Sequence, residues 1–138
     1  MSSFTTPLIV SPQSNGRDWK LYRAFSYHIG TKYGKNKITV PPGFLTDFAS
    51  IPKFLFWLLP WWAKFNKAPV LHDYLYQTKR IMHRPITRKQ VDDVFLEAML
   101  IEWRHHRSRY FLARLEWLAV RIFGLWAWHK RGEAYYRK

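Results

Sequence analysis

The chain has 138 residues, 48% of them apolar and 19% aromatic, which is long and apolar enough for one domain with a buried core. Its 23 Lys and Arg against 9 Asp and Glu give a formal net charge of +14, which should attract anionic lipid, nucleic acid or an acidic protein. The sequence has no cysteine, which excludes disulfides and a thiol nucleophile. It also has no signal-peptide pattern and no uncharged apolar run of the roughly 18–20 residues that cross a bilayer, and this predicts a cytoplasmic chain.

Residues 1–42 have the alternating pattern of β-strands. Apolar side chains recur at every second position over residues 19–29, with Arg23 as the exception, which predicts one half-buried strand. A turn follows, and residues 37–40 resume the pattern, so we expect a β-hairpin with an edge strand at residues 7–10.

The rest of the chain changes from β-strand to helical patterns. Residues 43–66 predict an irregular loop and a short helix, and residues 129–138 a frayed basic tail. Residues 67–128 predict three helices, at 67–80, from an N-cap at Thr87 to about 104, and at 108–128. We therefore expect a single α+β domain over residues 1–138, in which a small N-terminal antiparallel β-hairpin or sheet packs on a three-helix C-terminal bundle.

The third predicted helix combines an apolar stripe with tryptophan and basic residues. The stripe has helical spacing and is predicted to face the core; it consists of Phe111, Leu115, Leu118, Ile122 and Leu125. Basic residues beside tryptophan are typical of a helix that rests on anionic lipid. The predicted membrane or partner contacts, here and in the short helix, are Trp57, Trp61, Trp62, Trp117, Trp126, Trp128, Arg121 and Lys130.

Four polar residues on the first two predicted helices form a candidate site. His72 and Tyr76 are four residues apart and share a helix face, with Asp73 beside them. Asp92 lies on the apolar stripe of the next helix, where a carboxylate is unfavourable unless it is paired. Because a short connection makes consecutive helices antiparallel neighbours, we expect Asp92 to bind His72 and Tyr76.

This arrangement has a chemical interpretation. A bond from Asp92 would fix the tautomer of His72 and leave its other nitrogen to act as a general base, with Tyr76 bracing Asp92. Asp73, with loop carbonyls or Asp47, could hold a hard cation such as calcium that polarises an ester carbonyl. The predicted reaction is water-mediated ester hydrolysis. The alternative is structural: the same side chains satisfy one another and fix the register of two helices.

Three segments resemble a known family. Residues 46–52 (TDFASIP), 72–76 (HDYLY) and 88–92 (RKQVD) are similar to motifs of small phage and prophage proteins of unknown function, TDFAS-(V/I)-P, HDxLY and RxxAD. The resemblance covers residues 40–124 and departs from the pattern at Val91, where that family usually has alanine. It implies a bacteriophage or prophage origin.

The HDxxY pattern is also similar to phospholipase A₂ enzymes, including the cysteine-free domain of parvovirus capsids, in which a second helix supplies an aspartate. This resemblance implies that His72 is the base, Asp73 the calcium ligand, Tyr76 the brace and Asp92 the orienting acid. Those enzymes bind calcium with a glycine-rich YxGxG-type loop. The corresponding segment here, residues 43–50, has a single glycine, so Asp47 would have to compensate.

Two functional hypotheses follow. The first is a phage-encoded lipid-ester hydrolase of phospholipase A₂-like chemistry that acts at anionic membranes in lysis or envelope damage. The alternative is a non-enzymatic virion protein of the tail or baseplate, or an assembly protein, that contacts phage structural proteins; a protein that disrupts membranes without turnover is a third option. Nucleic acid should bind only non-specifically, because the basic residues are spread along the chain. We expect the protein in the host cytoplasm, with peripheral membrane association or incorporation into a virion.

Overall fold

The computed structural model describes residues 2–16, 18–30, 35–46, 59–60 and 66–134, with the side chains of the last helix described as far as His129. It confirms the α+β class, with antiparallel strands followed by helices. The strands are β1 Ser3–Phe4, β2 Val10–Pro12, β3 Trp19–Leu21, β4 Phe25–His28, β5 Lys37–Val40, β6 Leu45–Thr46, β7 Arg80–Ile81 and β8 Arg84–Pro85. The helices are α1 Lys67–Thr78, α2 Arg88–Glu102 and α3 Arg109–Ala134. Most of the predicted short helix lies outside the described residues.

The strands form two small antiparallel sheets and a hairpin. The predicted β4–β5 hairpin is confirmed, with Phe25 opposite Val40 and Tyr27 opposite Ile38, all four buried. The prediction of a single strand over residues 19–29 is wrong, because β3 pairs with β2 and β6 whereas β4 pairs with β1 and β5. The chain changes sheets at the exposed residue Arg23, the position that broke the apolar alternation.

The remaining strand predictions were approximate. The predicted edge strand at residues 7–10 is displaced, since β2 begins at Val10 and β1 lies earlier in the chain. The hairpin of β7 and β8, between α1 and α2, was not predicted. It carries the chain from the end of α1, where Lys79 has a φ of 54°, to the start of α2.

The first two helices are tied together at their ends. The carboxylate of Glu102, the last residue of α2, accepts bonds from the backbone N–H groups of Lys67 and Ala68 at 2.9 and 3.0 Å. These are donors of the first turn of α1 that have no partner within their own helix. At the other end of α2 the predicted capping box is present, since Thr87 and Gln90 exchange side chain-to-backbone bonds. The Glu102 contact holds the end of α2 beside the start of α1, so the two helices are antiparallel neighbours, and the capping box fixes where α2 begins.

Helix α3 packs with the opposite face from the one predicted. Its inward side chains are small, and the predicted core stripe lies outside: Phe111, Leu118, Ile122 and Leu125 are exposed and Leu115 is half-buried. The buried small residues are Ala113, Ala119, Val120, Gly124 and Ala127. Helical spacing identifies a face but not the direction in which it points, and small side chains let two helices approach closely. The helix also continues to Ala134, so the prediction of fraying from residue 129 is wrong there. No helix in the described residues is both long and apolar enough to span a bilayer.

Candidate functional site

The predicted contact between α1 and α2 is present. The imidazole Nε2 of His72 lies 2.8 Å from Oδ1 of Asp92, and the hydroxyl of Tyr76 donates to the same oxygen at 2.7 Å. Because an ionised carboxylate can only accept, Nε2 carries the proton in this bond. Helical spacing places His72 and Tyr76 one turn apart, so both reach one carboxylate on the facing helix.

Two arginines that the sequence reasoning did not include complete the site. Nη1 of Arg121 donates to Oδ2 of Asp92 at 2.8 Å, and Nη1 of Arg88 lies 3.5 Å from that oxygen. Arg88 also donates to the carbonyls of Val120 and Arg121, both at 3.1 Å. The spacing of Arg88, four residues before Asp92, was a usable signal, whereas nothing local in the sequence connects Arg121 to the site. We call these five side chains the polar cluster: His72, Tyr76, Arg88, Asp92 and Arg121.

Burial and charge fix the protonation of the polar cluster. Burial alone would raise the pKa of Asp92, but the bond and charge of His72, followed by the bonds from Tyr76 and Arg121, hold that pKa below its usual value. Burial and the bond to Asp92 raise the pKa of Tyr76 far above the ordinary value of a phenol. Asp92 is therefore an anion at neutral pH, and Tyr76 is a neutral donor.

The imidazole of His72 is enclosed by aromatic rings. Its centroid lies 4.1 Å from that of Tyr76 and 4.5 Å from that of Phe95, and only 2% of His72 is exposed to solvent. A general base has to reach the proton that it removes, directly or through one water molecule. Among the described residues the ring is packed as a core side chain.

Asp73 connects α1 to the sheet. It is fully buried, and the hydroxyl of Thr46 in β6 donates to its Oδ2 at 2.7 Å. Its predicted companion in cation binding, Asp47, lies outside the described residues. Among the side chains that are described, no group of three or more metal-ligating residues is present. Calcium binding by Asp73 and Asp47 stays a prediction.

A family described as proteins of unknown function, DUF1353, matches residues 19–120, most of the chain. The chain belongs to the DUF1353 family. No curated protein and no solved structure matches it. The matched region contains four of the five residues of the polar cluster, and the fifth, Arg121, follows directly after it. This membership agrees with the resemblance of the three motifs to a family of unknown function. A phage origin stays a prediction.

Three of the predicted contact residues hold α3 to the body of this DUF1353 protein. The Nε1 of Trp117 donates to Asp93 at 3.2 Å, Trp128 packs edge-on against Tyr76 at 5.2 Å, and Arg121 binds Asp92. Trp126 is exposed, and its role as a membrane or partner contact stays a prediction. The other predicted contacts, Trp57, Trp61, Trp62 and the side chain of Lys130, lie outside the described part of the chain.

The DUF1353 chain also buries an acid that the sequence reasoning missed. Glu116 of α3 is fully buried, and neither of its carboxylate oxygens has a hydrogen-bond partner among the described residues. This burial raises its pKa to about 8. Its position was a usable signal, because Glu116 falls on the stripe of small residues that includes Ala113, Val120 and Gly124.

Replacing Glu116 with glutamine should change how stability depends on pH. In the unfolded chain the group ionises near its ordinary pKa of 4.5 and in the folded chain only near 8, so the wild type should lose stability as pH rises between these values. The variant lacks this loss: it should match the wild type at about pH 4 and exceed it by about 1–3 kcal/mol at about pH 8.5. Urea unfolding at both pH values measures the difference. An equal offset at both would show that Glu116 does not titrate in this way.

Proposed function

We propose that this protein is a non-catalytic docking protein, in which the polar cluster fixes α3 against α1 and α2 so that the large side chains of α3 face outward. The observation that carries the proposal is that the buried carboxylate of Asp92 is bound by side chains from all three helices. A bond network of this kind holds helices in one relative orientation, because each donor must keep its geometry to satisfy a buried acceptor.

Both carboxylate oxygens of Asp92 have donors. Oδ1 accepts bonds from His72 and Tyr76, Oδ2 accepts one from Arg121, and Arg88 forms an ion pair with Oδ2 at 3.5 Å. An ionised carboxylate has about four acceptor positions, so these contacts occupy most of them and favour an anchoring role over proton transfer. In the phage setting that the motif resemblance implies, such a protein would be a tail, baseplate or assembly component made in the host cytoplasm.

A specific observation favours the hydrolase as a second candidate. His72 uses Nε2 to bind Asp92, Tyr76 braces the same oxygen, and Asp73 follows His72 on the helix, which is the arrangement that the phospholipase A₂ resemblance implies. In that mechanism Nδ1 of His72 would accept the proton of the water that attacks the ester carbonyl. The developing oxyanion would need a cation, for which Asp73 and Asp47 are the predicted ligands.

Replacing His72 with glutamine separates the two candidates. If the polar cluster is an anchor, the wild type releases no fatty acid from anionic phospholipid vesicles with calcium or with chelator, and His72→Gln lowers the free energy of unfolding by about 1–3 kcal/mol. His105→Gln is the matched control, since His105 is exposed in the connection between α2 and α3 and its replacement should leave stability unchanged. Calcium-dependent fatty-acid release that His72→Gln abolishes would refute the non-catalytic proposal and establish the hydrolase.

A further inference from the structure

The outward side of α3 is a continuous apolar surface. Five of its side chains are between 49% and 70% exposed. We define the outer face as Phe111, Leu115, Leu118, Ile122, Leu125 and Trp126, of which Leu115 is half-buried. Isolated exposed apolar residues are ordinary, but a contiguous stripe on one side of a helix usually marks an interaction surface. At 1.5 Å per residue the stripe runs for about 22 Å.

The exposed charges on the described part of α3, and in the turn just before it, have one sign. Arg114 is exposed at its border, and Arg104 and Arg107 are exposed just before α3 begins. Among the described side chains of α3, the acid is Glu116, which is buried on the opposite side. The outer face therefore offers apolar and cationic groups to a partner and no exposed carboxylate within the described side chains of this helix.

The partners that would cover such a surface include a second copy of the chain and a lipid membrane. Pairing two copies would bring together two bodies of formal charge +14, with no exposed acid on the described part of α3 to neutralise Arg114. An anionic membrane instead supplies hydrocarbon for the leucine, isoleucine and phenylalanine side chains and negative headgroups for the arginines. Tryptophan at the edge of the face suits the boundary between headgroups and hydrocarbon.

We propose that the outer face of α3 docks onto anionic phospholipid membranes, with the helix axis in the plane of the interface. This inference rests on the proposed function, because Arg121 and its bond to Asp92 keep the outer face directed away from the body. Arginines at the border attract the headgroups, and the apolar side chains then enter the boundary between headgroups and hydrocarbon. The contact needs no opening of the polar cluster.

Vesicle co-sedimentation tests the docking surface. The wild type should bind vesicles of phosphatidylcholine with phosphatidylglycerol at least about tenfold more tightly than phosphatidylcholine alone, and higher salt should reduce that difference. Replacing Leu118 and Ile122 together with glutamate should weaken binding to the anionic vesicles by about tenfold or more. The matched control replaces Tyr22 and Met82 with glutamate, which makes the same change of net charge at exposed residues outside α3. It should lose much less affinity. Arg114→Glu is a second, milder test that keeps the apolar side chains.

The outcomes are distinct. Docking is refuted if the wild type does not bind anionic vesicles, or if the outer-face variant binds as tightly as its control. It is also refuted, in favour of self-association, if sedimentation velocity shows a dimer that the outer-face variant dissociates. Fatty-acid release is measured in the same samples. Fatty-acid release, together with vesicle binding that depends on the outer face, would refute the non-catalytic function and support the docking surface. A dimer in solution without fatty-acid release would support the non-catalytic function and refute the docking surface.

Discussion

Replacing Asp92 with asparagine should lower the free energy of unfolding by about 2–4 kcal/mol. The amide keeps the shape of the side chain but removes the charge that Arg88 and Arg121 share. It also presents N–H groups to a site that already contains only donors. The two arginines are 16% and 26% exposed, so water compensates part of the loss, and the expected value is below that for a fully buried pair.

The neighbouring residue supplies the control for this prediction. Asp93→Asn is the same chemical change one position along α2, where 45% of the side chain is exposed and the carboxylate pairs with the exposed side chain of Lys89 at 2.6 Å. An exposed pair of this kind contributes about 0.2–1 kcal/mol, and asparagine keeps an oxygen for the bond from Trp117. Denaturant unfolding of both variants gives the comparison. Equal losses would mean that Asp92 does not anchor the helices.

Replacing Gly124 with alanine should destabilise the protein by about 1–3 kcal/mol, although alanine is normally favoured over glycine inside a helix by about 1 kcal/mol. A Cβ atom at this position would lie 2.6 Å from the hydroxyl oxygen of Tyr76. That oxygen cannot move aside easily, because Tyr76 is fully buried and bound to Asp92 at 2.7 Å. Either α3 moves outward or the bond to Asp92 is lost.

A double-mutant cycle with Tyr76→Phe tests this cause directly. Without the hydroxyl oxygen, the nearest atom to the new Cβ is the ring carbon Cζ at 3.4 Å, which is an ordinary contact. In the Tyr76→Phe background, Gly124→Ala should therefore be neutral or stabilising by up to about 1 kcal/mol. The melting temperatures of the four proteins provide the measurement. The same loss in both backgrounds would show that the hydroxyl is not the obstacle.

The parts of the site that depend on local spacing could be predicted from the sequence. A turn of helix relates His72 to Tyr76, the capping box marks the start of α2, and a short connection makes α1 and α2 neighbours; together these place Asp92 beside the imidazole. Arg121 could not be found in this way. It reaches Asp92 from 29 residues along the chain, and only the packing of α3 decides which of its arginines points inward.

The predicted orientation of α3 is wrong because the more hydrophobic side of this helix is the exposed one. The side of α3 that is buried is the one that can approach α1 closely. Gly124 and its small neighbours permit contact with Tyr76, which the larger side chains of the outer face would prevent. Glu116 was missed for a related reason: it lies on the stripe of small residues, and that stripe is the inward side of the helix. Likewise, Arg23 interrupts an apolar alternation, and that pattern alone does not distinguish an irregular strand from a change of sheet.

The unequal size of side chains on the two sides of α3 has a consequence for which replacements the protein should accept. At Gly124 and Ala127 the packed neighbours limit the volume of the side chain, so even one added methyl group should matter more than a change of polarity. Leu118 and Ile122 are exposed, so their shape is not limited by packed neighbours. Uncharged residues of many shapes should be interchangeable at these positions. The two sides of one helix are therefore constrained differently, the inner side by side-chain volume and the outer side by hydrophobicity. A substitution that is harmless on one side can be damaging on the other, half a turn away.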